Sequence, residues 1–391
     1  MPPCSKTYGL PLYCAAWVPL DRIGDAVNDK EVAETSQDDL SIAGKAVAAE
    51  AAPSPAKADQ LLVVLGGGGG EGRSGVPNAV LLSQFDVASN SLSDQPVHRL
   101  GTEGEVPYRL AMHPGGHGFV CSFLKSCRYF EWDISEGREA SKLALKSSEK
   151  LLQKLDDAGL QLALTFNSDG TLLAAGGEDG NLRVLKWPSL EVILSETNAH
   201  ATVKDLNFSS NGKFLASLGG NGPCMVWDLG SLTAVASLPV EGGEKFGFCS
   251  FSPNSSILYV TSMHDDQAKI SSWSTSSWER IASKKIVRGP ISAFDISNDG
   301  KLLAIGTIEG DVAIASSSDL KRQTTVKKAH LGPVTALDFS HDSRALVSAS
   351  FDSTARVTLV QQPTGKGSAL WLSVLVVLLA ILVYYYVNQA W

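Results

Sequence analysis

Two stretches with the same pattern, LALTFNSDGTLLAAGGEDGNLRVLKW (162–187) and VKDLNFSSNGKFLASLGGNGPCMVWD (203–228), decide the fold. Each contains a short alternating strand that ends in phenylalanine, a polar turn, an apolar strand that ends in small residues, and a third strand. Alternation with a period of two is typical of half-buried strands, and Asp-Gly or Asn-Gly turns favour hairpins. The same pattern recurs in three further segments, at 246–274, 291–316 and 334–360.

The last residue of the first strand marks the repeat in these five segments, at Phe166, Phe208, Phe251, Ile296 and Phe339. The successive spacings are 42, 43, 45 and 43 residues, which is the length of one four-stranded propeller blade. A weaker sixth copy covers 108–133, and a seventh is split between 13–18, 61–67 and 78–86. The sequence therefore predicts an all-β, seven-bladed, WD-repeat-like β-propeller, whose last blade is completed by an N-terminal strand near Thr7–Leu12.

The segment 21–60 interrupts the split copy and differs from the rest of the chain in composition. It is acidic, rich in alanine and free of aromatic residues, so it cannot bury enough apolar surface to offset the entropy lost on ordering. We predict a disordered insertion here. Because it directly precedes the strand that leads into a glycine-rich loop, its position bears on access to that loop.

The C-terminal stretch ALWLSVLVVLLAILVYYYV (369–387) contains nineteen residues without a charge. As a helix it would span about 28 Å, close to the hydrocarbon thickness of a bilayer. Trp371 and Tyr384–Tyr386 lie near its ends, where aromatic rings prefer the headgroup region. Arg356 and Lys366 precede the stretch and no charge follows it, so the positive-inside rule places the propeller in the cytosol. The alternative, a buried core strand or helix, seldom runs this long without a charge.

Composition narrows the classes of function. The formal net charge of −8 disfavours nucleic-acid binding, which relies on basic surfaces. The six cysteines form no C-x-x-C pair, which is typical of free thiols in a reducing compartment, and no N-terminal signal peptide is visible. The predicted organisation is N-terminal strands (1–20), insertion (21–60), propeller (61–362), linker (363–368), transmembrane helix (369–387) and lumenal tail (388–391).

The segment GGGGGEGRSGVPN (66–78), here called the glycine-rich loop, is the stretch most suggestive of chemistry. Gly67, Gly69 and Gly72 satisfy the G-x-G-x-x-G pattern, and 67–74 resembles a phosphate-binding P-loop with arginine in place of lysine. Both motifs require a helix after the loop, whereas the residues from Ala79 onward predict a strand. Two other interpretations stay open: a flexible linker, or a loop whose backbone groups converge on an ion or a partner.

Other candidate residues have structural explanations. His200 and His330 each follow an alanine before a predicted strand, and we expect them in buried hydrogen-bonded sets completed by Asp179, Asp352, Trp187 and Trp227. His264-Asp265-Asp266 is predicted to be a solvated turn, not a metal site. The sequence has no Ser/His/Asp elbow, paired-carboxylate motif or zinc signature, so we expect no covalent enzyme chemistry.

The strand–loop–strand LLVVLGGGGGEGRSGVPNAV (61–80) carries a family resemblance, together with the N-terminal YGLPLYCAAW (8–17), the divergent repeats and the C-terminal span. The chain resembles the endoplasmic-reticulum guanine nucleotide exchange factors of the COPII small GTPase. This is the family of the mammalian prolactin regulatory element-binding protein, here in its plant-type form. The resemblance covers nearly the whole chain, and its specific motif is GGGGEGxxGxPN. It implies that the protein promotes GDP release at the endoplasmic-reticulum membrane and so starts ER-to-Golgi vesicle formation.

Carried over to matching positions, the resemblance implies that Asn78 is the main catalytic residue, with Val76 and Pro77 beside it. On our hypothesis Asn78 hydrogen-bonds to the switch backbone of the GTPase. The loop residues that would contact the GTPase are Gly66, Gly67, Gly68, Gly69, Gly70, Glu71, Gly72 and Gly75. A potassium ion would be held by the backbone carbonyl oxygens of Gly67, Gly68, Gly69 and Gly70.

The partners that the resemblance implies are the COPII small GTPase, in GDP-bound and nucleotide-free states, and the endoplasmic-reticulum membrane, with no nucleic acid. The alternative function is a tail-anchored propeller scaffold that assists the exit of cargo proteins without catalysing exchange. Replacing the glycine-rich loop distinguishes the two, because only the exchange factor depends on it.

Overall fold

The computed structural model describes residues 4–23, 60–70, 72, 74–134, 143–152, 155 and 158–360, together with Leu378. Within these ranges the chain forms 29 strands arranged in seven sheets. Six sheets contain four strands and one contains five. Inner strands of successive sheets pack side by side around a common axis. This arrangement confirms the predicted all-β, seven-bladed propeller.

The first four blades follow one another along the chain. Blade 1 comprises β2 (Leu12–Trp17), β3 (Gln60–Gly67), β4 (Ala79–Asp86), β5 (Ser91–Leu92) and β6 (His98–Gly101). Blade 2 comprises β7 (Arg109–Met112), β8 (Gly118–Ser122), β9 (Cys127–Ile134) and β10 (Leu143–Leu151). Blade 3 comprises β11 (Gln161–Phe166), β12 (Leu172–Gly177), β13 (Leu182–Lys186) and β14 (Val192–Glu196). Blade 4 comprises β15 (Val203–Phe208), β16 (Phe214–Gly219), β17 (Cys224–Asp228) and β18 (Thr233–Leu238).

The last three blades complete the ring. Blade 5 comprises β19 (Lys245–Phe251), β20 (Ile257–His264), β21 (Gln267–Ser274) and β22 (Arg280–Arg288). Blade 6 comprises β23 (Ile291–Ile296), β24 (Leu302–Thr307), β25 (Val312–Ser316) and β26 (Arg322–Val326). Blade 7 comprises β27 (Val334–Phe339), β28 (Ala345–Ser350), β29 (Thr354–Leu359) and the N-terminal strand β1 (Cys4–Thr7).

The N-terminal strand closes the propeller by pairing antiparallel with β29, so that both ends of the described propeller belong to blade 7. The predicted position of this strand, near Thr7–Leu12, is wrong: the strand ends at Thr7, and Leu12 already begins β2. The reason lies in the intervening residues. Gly9 has φ of 72°, and Pro11 lacks a backbone N–H, so the chain turns there from blade 7 into blade 1.

Apolar clusters lie at the five interfaces between successive blades from blade 1 to blade 6. Between blades 1 and 2, for example, Val64 and Val80 pack with Phe119 and Phe130, all of them fully buried or nearly so. The two phenylalanine rings stack with centroids 5.1 Å apart. Similar clusters lie between blades 2 and 3, 3 and 4, 4 and 5, and 5 and 6. Burial of apolar surface therefore holds these six blades to one another.

Polar side chains on the inner strands connect successive blades. In blade 4, the Oδ1 atom of Asn207 accepts a hydrogen bond from the backbone N–H of Phe251 at 2.8 Å. The equivalent residues in blades 6 and 7 are Asp295 and Asp338, whose carboxylates accept backbone N–H groups of the next inner strand at 2.8 and 2.7 Å. The hydrogen bond that Asp338 accepts comes from the backbone N–H of Trp17 in blade 1 and therefore closes the ring.

The insertion leaves the propeller at the end opposite the glycine-rich loop. Leu12, at the start of β2, pairs with Gly67, at the end of β3, so the loop lies where β2 begins. β3 starts seven residues earlier, at Gln60, about 23 Å away at ~3.3 Å per residue. The predicted insertion is wrong at its ends, since residues 20–23 form a helical turn with Ile23 buried and Gln60 belongs to β3. Residues 24–59 lie outside the described residues.

The chain divides into a first unit through Thr358 and a second unit from Leu359 onward. In the second unit only Leu359, Val360 and Leu378 are described. The predicted linker, the predicted membrane span apart from Leu378, and the predicted tail therefore lie outside the described residues. Among the residues that are described, no helix is long and apolar enough to cross a membrane.

Candidate functional site: the glycine-rich loop

The glycine-rich loop connects β3 to β4, two neighbouring strands of blade 1. These strands pair antiparallel over eight residues, from Gln60 opposite Asp86 to Gly67 opposite Ala79. The loop is therefore the connection of a long, regular hairpin, and a strand follows it, as the sequence predicts. Because no helix begins after Asn78, the loop lacks the helix N-terminus on which nucleotide-binding glycine motifs depend.

The base of the loop requires glycine because other backbone and side-chain atoms approach it closely. A Cβ atom on Gly67 would overlap the carbonyl oxygen of Pro11, and one on Gly68 would overlap the side chain of Asn78. Gly68 also has φ of 151°, a conformation that residues with side chains rarely adopt. Its N–H donates to the carbonyl oxygen of Pro11 at 3.0 Å. The first glycines of the run thus bind the loop tightly to the residues before β2.

Asn78 closes the base of the loop from the other side. It is only 4% exposed, and its Oδ1 atom accepts a hydrogen bond from the N–H of Gly70 at 2.9 Å. Its Nδ2 group donates to the carbonyl oxygens of Gly70, at 3.3 Å, and Glu103, at 3.0 Å. The backbone carbonyl of Asn78 accepts from the N–H of Thr102 at 3.1 Å. One side chain therefore links the two ends of the loop to each other and to the next connection, at Thr102–Glu103.

The tip of the loop differs from its base in exposure. Gly72, Gly75 and Pro77 are exposed and Val76 is half-buried. The N–H of Val76 bonds to the hydroxyl of Ser74 at 3.3 Å, a local turn within the tip. Glu71 and Arg73 lie outside the described residues. Among the described residues, the loop therefore combines exposed positions such as Pro77 with a buried, hydrogen-bonded base.

Aromatic side chains lie beside the loop on the same end of the propeller. The ring of Tyr13, in the strand that pairs with β3, lies 4.9 Å from that of Phe351 and 5.9 Å from that of Tyr108. Phe351 is 43% exposed. Leu331, in the connection from β26 to β27, is 90% exposed. Sequence spacing does not reveal this grouping, because Tyr13, Tyr108 and Phe351 come from blades 1, 2 and 7, which become neighbours when the ring closes.

The predicted histidine set in blade 7 forms without a tryptophan. His330 is buried, its Nε2 atom lies 2.8 Å from the hydroxyl of Ser348, and its Nδ1 atom lies 2.6 Å from that of Thr354. Asp352 is 3.6 Å from the same Nδ1 atom. Burial lowers the pKa of His330 although Asp352 opposes this. This set joins the start of blade 7 to its turn, which is a structural role.

In blade 4, His200 and Trp227 both contact the hydroxyl of Ser217, each at 2.9 Å, as predicted for Trp227. Two residues that were expected in these histidine sets have other partners. Asp179 forms an ion pair with Arg183 at 2.6 Å, and the Trp187 ring packs edge-on against neighbouring aromatic rings. The prediction is wrong for these two, because both lie in turns at the ends of β13, where they meet other partners.

Two further predictions concern possible metal and disulfide chemistry. Asp265 and Asp266 form the turn between β20 and β21, directly after His264, as predicted. Across the described part of the chain, no group of three or more His, Cys, Asp or Glu side chains is placed to hold a metal ion. All six cysteines are buried and free, in agreement with the absence of a paired cysteine motif.

Comparison with known proteins identifies the family. A model of the WD domain, G-beta repeat, matches residues 150–185, 191–228 and 321–358. SEC12-like protein 2 of Arabidopsis thaliana is 45% identical over 370 residues, which cover 94% of this chain and 90% of the relative. SEC12-like protein 1 of the same plant is 34% identical over 66% of this chain and 65% of its own length. The guanine nucleotide-exchange factor SEC12 of Rattus norvegicus is 25% identical, over 69% of this chain and 76% of its own. The chain therefore belongs to the family of SEC12-like proteins.

Proposed function

We propose that this chain is a guanine nucleotide-exchange factor that promotes GDP release from the small GTPase of the COPII coat at the endoplasmic-reticulum membrane, and so starts ER-to-Golgi vesicle formation. Its relation to the rat SEC12 exchange factor supports the activity. The observation that carries the proposal is the glycine-rich loop, which combines a buried, hydrogen-bonded base with an exposed tip. Exchange involves no covalent chemistry.

An exchange factor must bind the nucleotide-free GTPase more tightly than the GDP-bound form, because only a difference in affinity shifts the equilibrium. A loop that is ordered before it binds loses less conformational entropy on contact. The close packing of Gly67 against Pro11 and the hydrogen bonds of Asn78 provide this order. The remaining binding energy is then available to favour the distorted, nucleotide-free state.

The division between base and tip suggests roles for individual residues. Val76 and Pro77 contact the switch segments of the GTPase, with the fixed φ of proline holding the tip in place. The tip glycines allow close backbone approach. Asn78 acts by positioning Val76 and Pro77, since both groups of its amide are already bonded within the molecule. This replaces our hypothesis of a direct hydrogen bond from Asn78 to switch backbone.

We propose that a potassium ion binds at the base of the loop. Potassium in proteins is held by neutral backbone carbonyl oxygens that replace its water shell. Within the part of the chain that the structure describes, the carbonyl oxygen of Gly68 accepts no hydrogen bond. The carbonyl oxygen of Gly69 has only a 3.5 Å contact from the hydroxyl of Ser74. The carbonyl groups of Gly67–Gly70 would hold the ion, with the Gly70 carbonyl oxygen shared between the ion and the Asn78 amide, and the ion's charge would stiffen the loop. Exchange is then expected to be slower in lithium chloride than in potassium chloride at equal ionic strength.

Membrane attachment would place exchange beside the bilayer. The uncharged stretch 369–387 anchors the chain, the propeller faces the cytosol and 388–391 lie in the lumen. This arrangement is supported by the length of the stretch and by the basic residues that precede it.

The proposal is tested by replacing residues 69–77 with a short Gly-Ser linker in the full-length chain in detergent micelles. Release of fluorescent GDP from the COPII GTPase is measured in potassium chloride. We expect the native chain to accelerate release and the replacement to remove at least nine-tenths of the acceleration. Circular dichroism checks that the propeller is retained. Equal acceleration by both proteins would refute a role of the loop, and no acceleration by the native chain would leave the scaffold function.

A further inference from the structure

A cavity of about 160 Å³ lies in the central channel of the propeller. It is lined by residues from the first halves of the inner strands, including Arg109, Lys204, Asp205, Ser292 and Thr335. The inner strands begin at the end of the propeller that carries the glycine-rich loop, so the cavity lies toward that end. Its volume exceeds the roughly 30 Å³ that one water occupies in the liquid, and six of the seven blades contribute to its wall.

Two basic residues, Arg109 and the exposed Lys204, contribute to the wall of this cavity. The guanidinium group of Arg109 reaches across the channel, where Nε donates to the carbonyl oxygen of Leu162 at 3.0 Å and Nη1 to that of Thr335 at 3.5 Å. Three of its five N–H donors remain for another acceptor. Among the described residues, neither Arg109 nor Lys204 forms an ion pair.

The one acidic residue in the wall does not neutralise both cations. The Oδ2 atom of Asp205 accepts a hydrogen bond from the backbone N–H of Cys249 at 2.7 Å. Burial raises the pKa of this carboxyl to about 6, and Arg109 opposes the shift. At neutral pH the cavity therefore keeps an excess of positive charge, which an anion would balance.

A hydroxyl group in the wall also lacks a partner. The Oγ atom of Ser292 is buried and has no hydrogen-bond partner in the described part of the chain. By contrast, the hydroxyl of Thr335 donates to the carbonyl oxygen of Leu12 at 2.9 Å. A buried hydroxyl is normally hydrogen-bonded, and an acceptor in this cavity would take the Ser292 proton.

We infer that the channel cavity binds a small oxyanion of the phosphate class. Arg109 and Lys204 supply the charge, Ser292 donates a hydrogen bond, and the remaining N–H groups of the Arg109 guanidinium match the oxygens of a phosphate. This site is separate from the glycine-rich loop and does not depend on exchange activity. A free phosphate ion and the phosphate group of a small metabolite would be recognised in the same way.

The experiment is equilibrium dialysis of the full-length chain in detergent micelles against radiolabelled inorganic phosphate, at constant ionic strength in chloride. Lys204→Gln is the main variant, because Lys204 makes no side-chain hydrogen bond among the described residues and its loss leaves the wall intact. Lys125→Gln, an exposed lysine in the turn between β8 and β9, is the matched control. Ser292→Ala tests the hydroxyl separately.

We expect one saturable site in the native chain and in Lys125→Gln, with affinity at least tenfold weaker in Lys204→Gln and a few-fold weaker in Ser292→Ala. Competition by unlabelled glucose 6-phosphate distinguishes the two sources: displacement indicates that the cavity admits a phosphorylated metabolite, and its absence indicates the free ion. Either result supports an oxyanion site. No saturable binding up to about 10 mM phosphate, or equal binding by the native chain and Lys204→Gln, would overturn the inference.

Discussion

The substitution Asp295→Asn should make the propeller more stable at alkaline pH. Asp295 connects blade 6 to blade 7 by accepting the backbone N–H of Phe339. Burial raises the pKa of its carboxyl from 3.8 to about 7. Blade 4 already uses an amide at the equivalent position, where Asn207 accepts the N–H of Phe251 with the same 2.8 Å distance. An asparagine side chain therefore fits the position and keeps the hydrogen bond between blades without carrying a charge.

The direction in which stability changes with pH follows from the raised pKa of Asp295. Between pH 4 and 7 the folded protein holds a proton on Asp295 that the unfolded chain has lost, so the free energy of unfolding decreases as the pH rises. A pKa of about 7 against 3.8 corresponds to at most about 4 kcal/mol above pH 7. The part of this effect that arises between pH 5.5 and pH 7 is at most about 2 kcal/mol. Relative to the native chain, Asp295→Asn should therefore gain about 1–2 kcal/mol of stability between pH 5.5 and pH 8.

The assay is urea denaturation followed by tryptophan fluorescence, for the native chain and the variant at both pH values. The quantity of interest is the change in the difference between the two proteins from pH 5.5 to pH 8. Asp265→Asn, whose side chain is 87% exposed, is the matched control and should change by less than about 0.5 kcal/mol. A variant that is less stable than the native chain at pH 8, or a difference that does not depend on pH, would refute this reasoning.

Three other substitutions or deletions test the loop and the anchor. Asn78→Asp keeps the acceptor for the N–H of Gly70 but loses both hydrogen bonds that the amide donates, each worth about 1–1.5 kcal/mol. Trypsin should therefore cleave after Arg73 at least tenfold faster in this variant. Unchanged cleavage would contradict the role of the amide. Gly67→Ala should lower the free energy of unfolding by about 2–4 kcal/mol because its Cβ atom meets the Pro11 carbonyl. Gly72→Ala, which enters open space, serves as its control in urea denaturation, and equal effects would contradict the packing argument. Deletion of 369–387 should release the chain from carbonate-washed membranes into the supernatant, and retention would contradict the anchor.

The propeller could be predicted from sequence because its blades repeat the same local pattern. Strand alternation, the turns and the regular spacing of Phe166, Phe208, Phe251, Ile296 and Phe339 are properties of short segments. Even the split first blade follows from strand-length apolar runs on both sides of the insertion. The closing strand was harder to place, because Cys4–Thr7 is a short segment whose strand conformation depends on its pairing with β29.

The candidate site was predictable only in part. The glycine run and the strand after it are visible in the sequence, and so is the contrast with phosphate-binding loops. The bonds of Asn78 to Gly70 and Glu103 are not, because they depend on the next connection folding against the loop. Similarly, the location of Asp179 and Trp187 away from the histidine sets depends on side-chain directions that sequence spacing does not determine.

The most direct test of the central claim is the rate of fluorescent GDP release from the COPII GTPase, measured with the full-length chain and with Asn78→Ala in potassium chloride. Asn298→Ala, in the turn between β23 and β24, is the matched control for loss of an asparagine. We predict strong acceleration by the native chain and by Asn298→Ala, and at least a tenfold smaller acceleration by Asn78→Ala. Equal acceleration by all three proteins would contradict the assignment of exchange to this loop, and no acceleration by the native chain would contradict the exchange function itself.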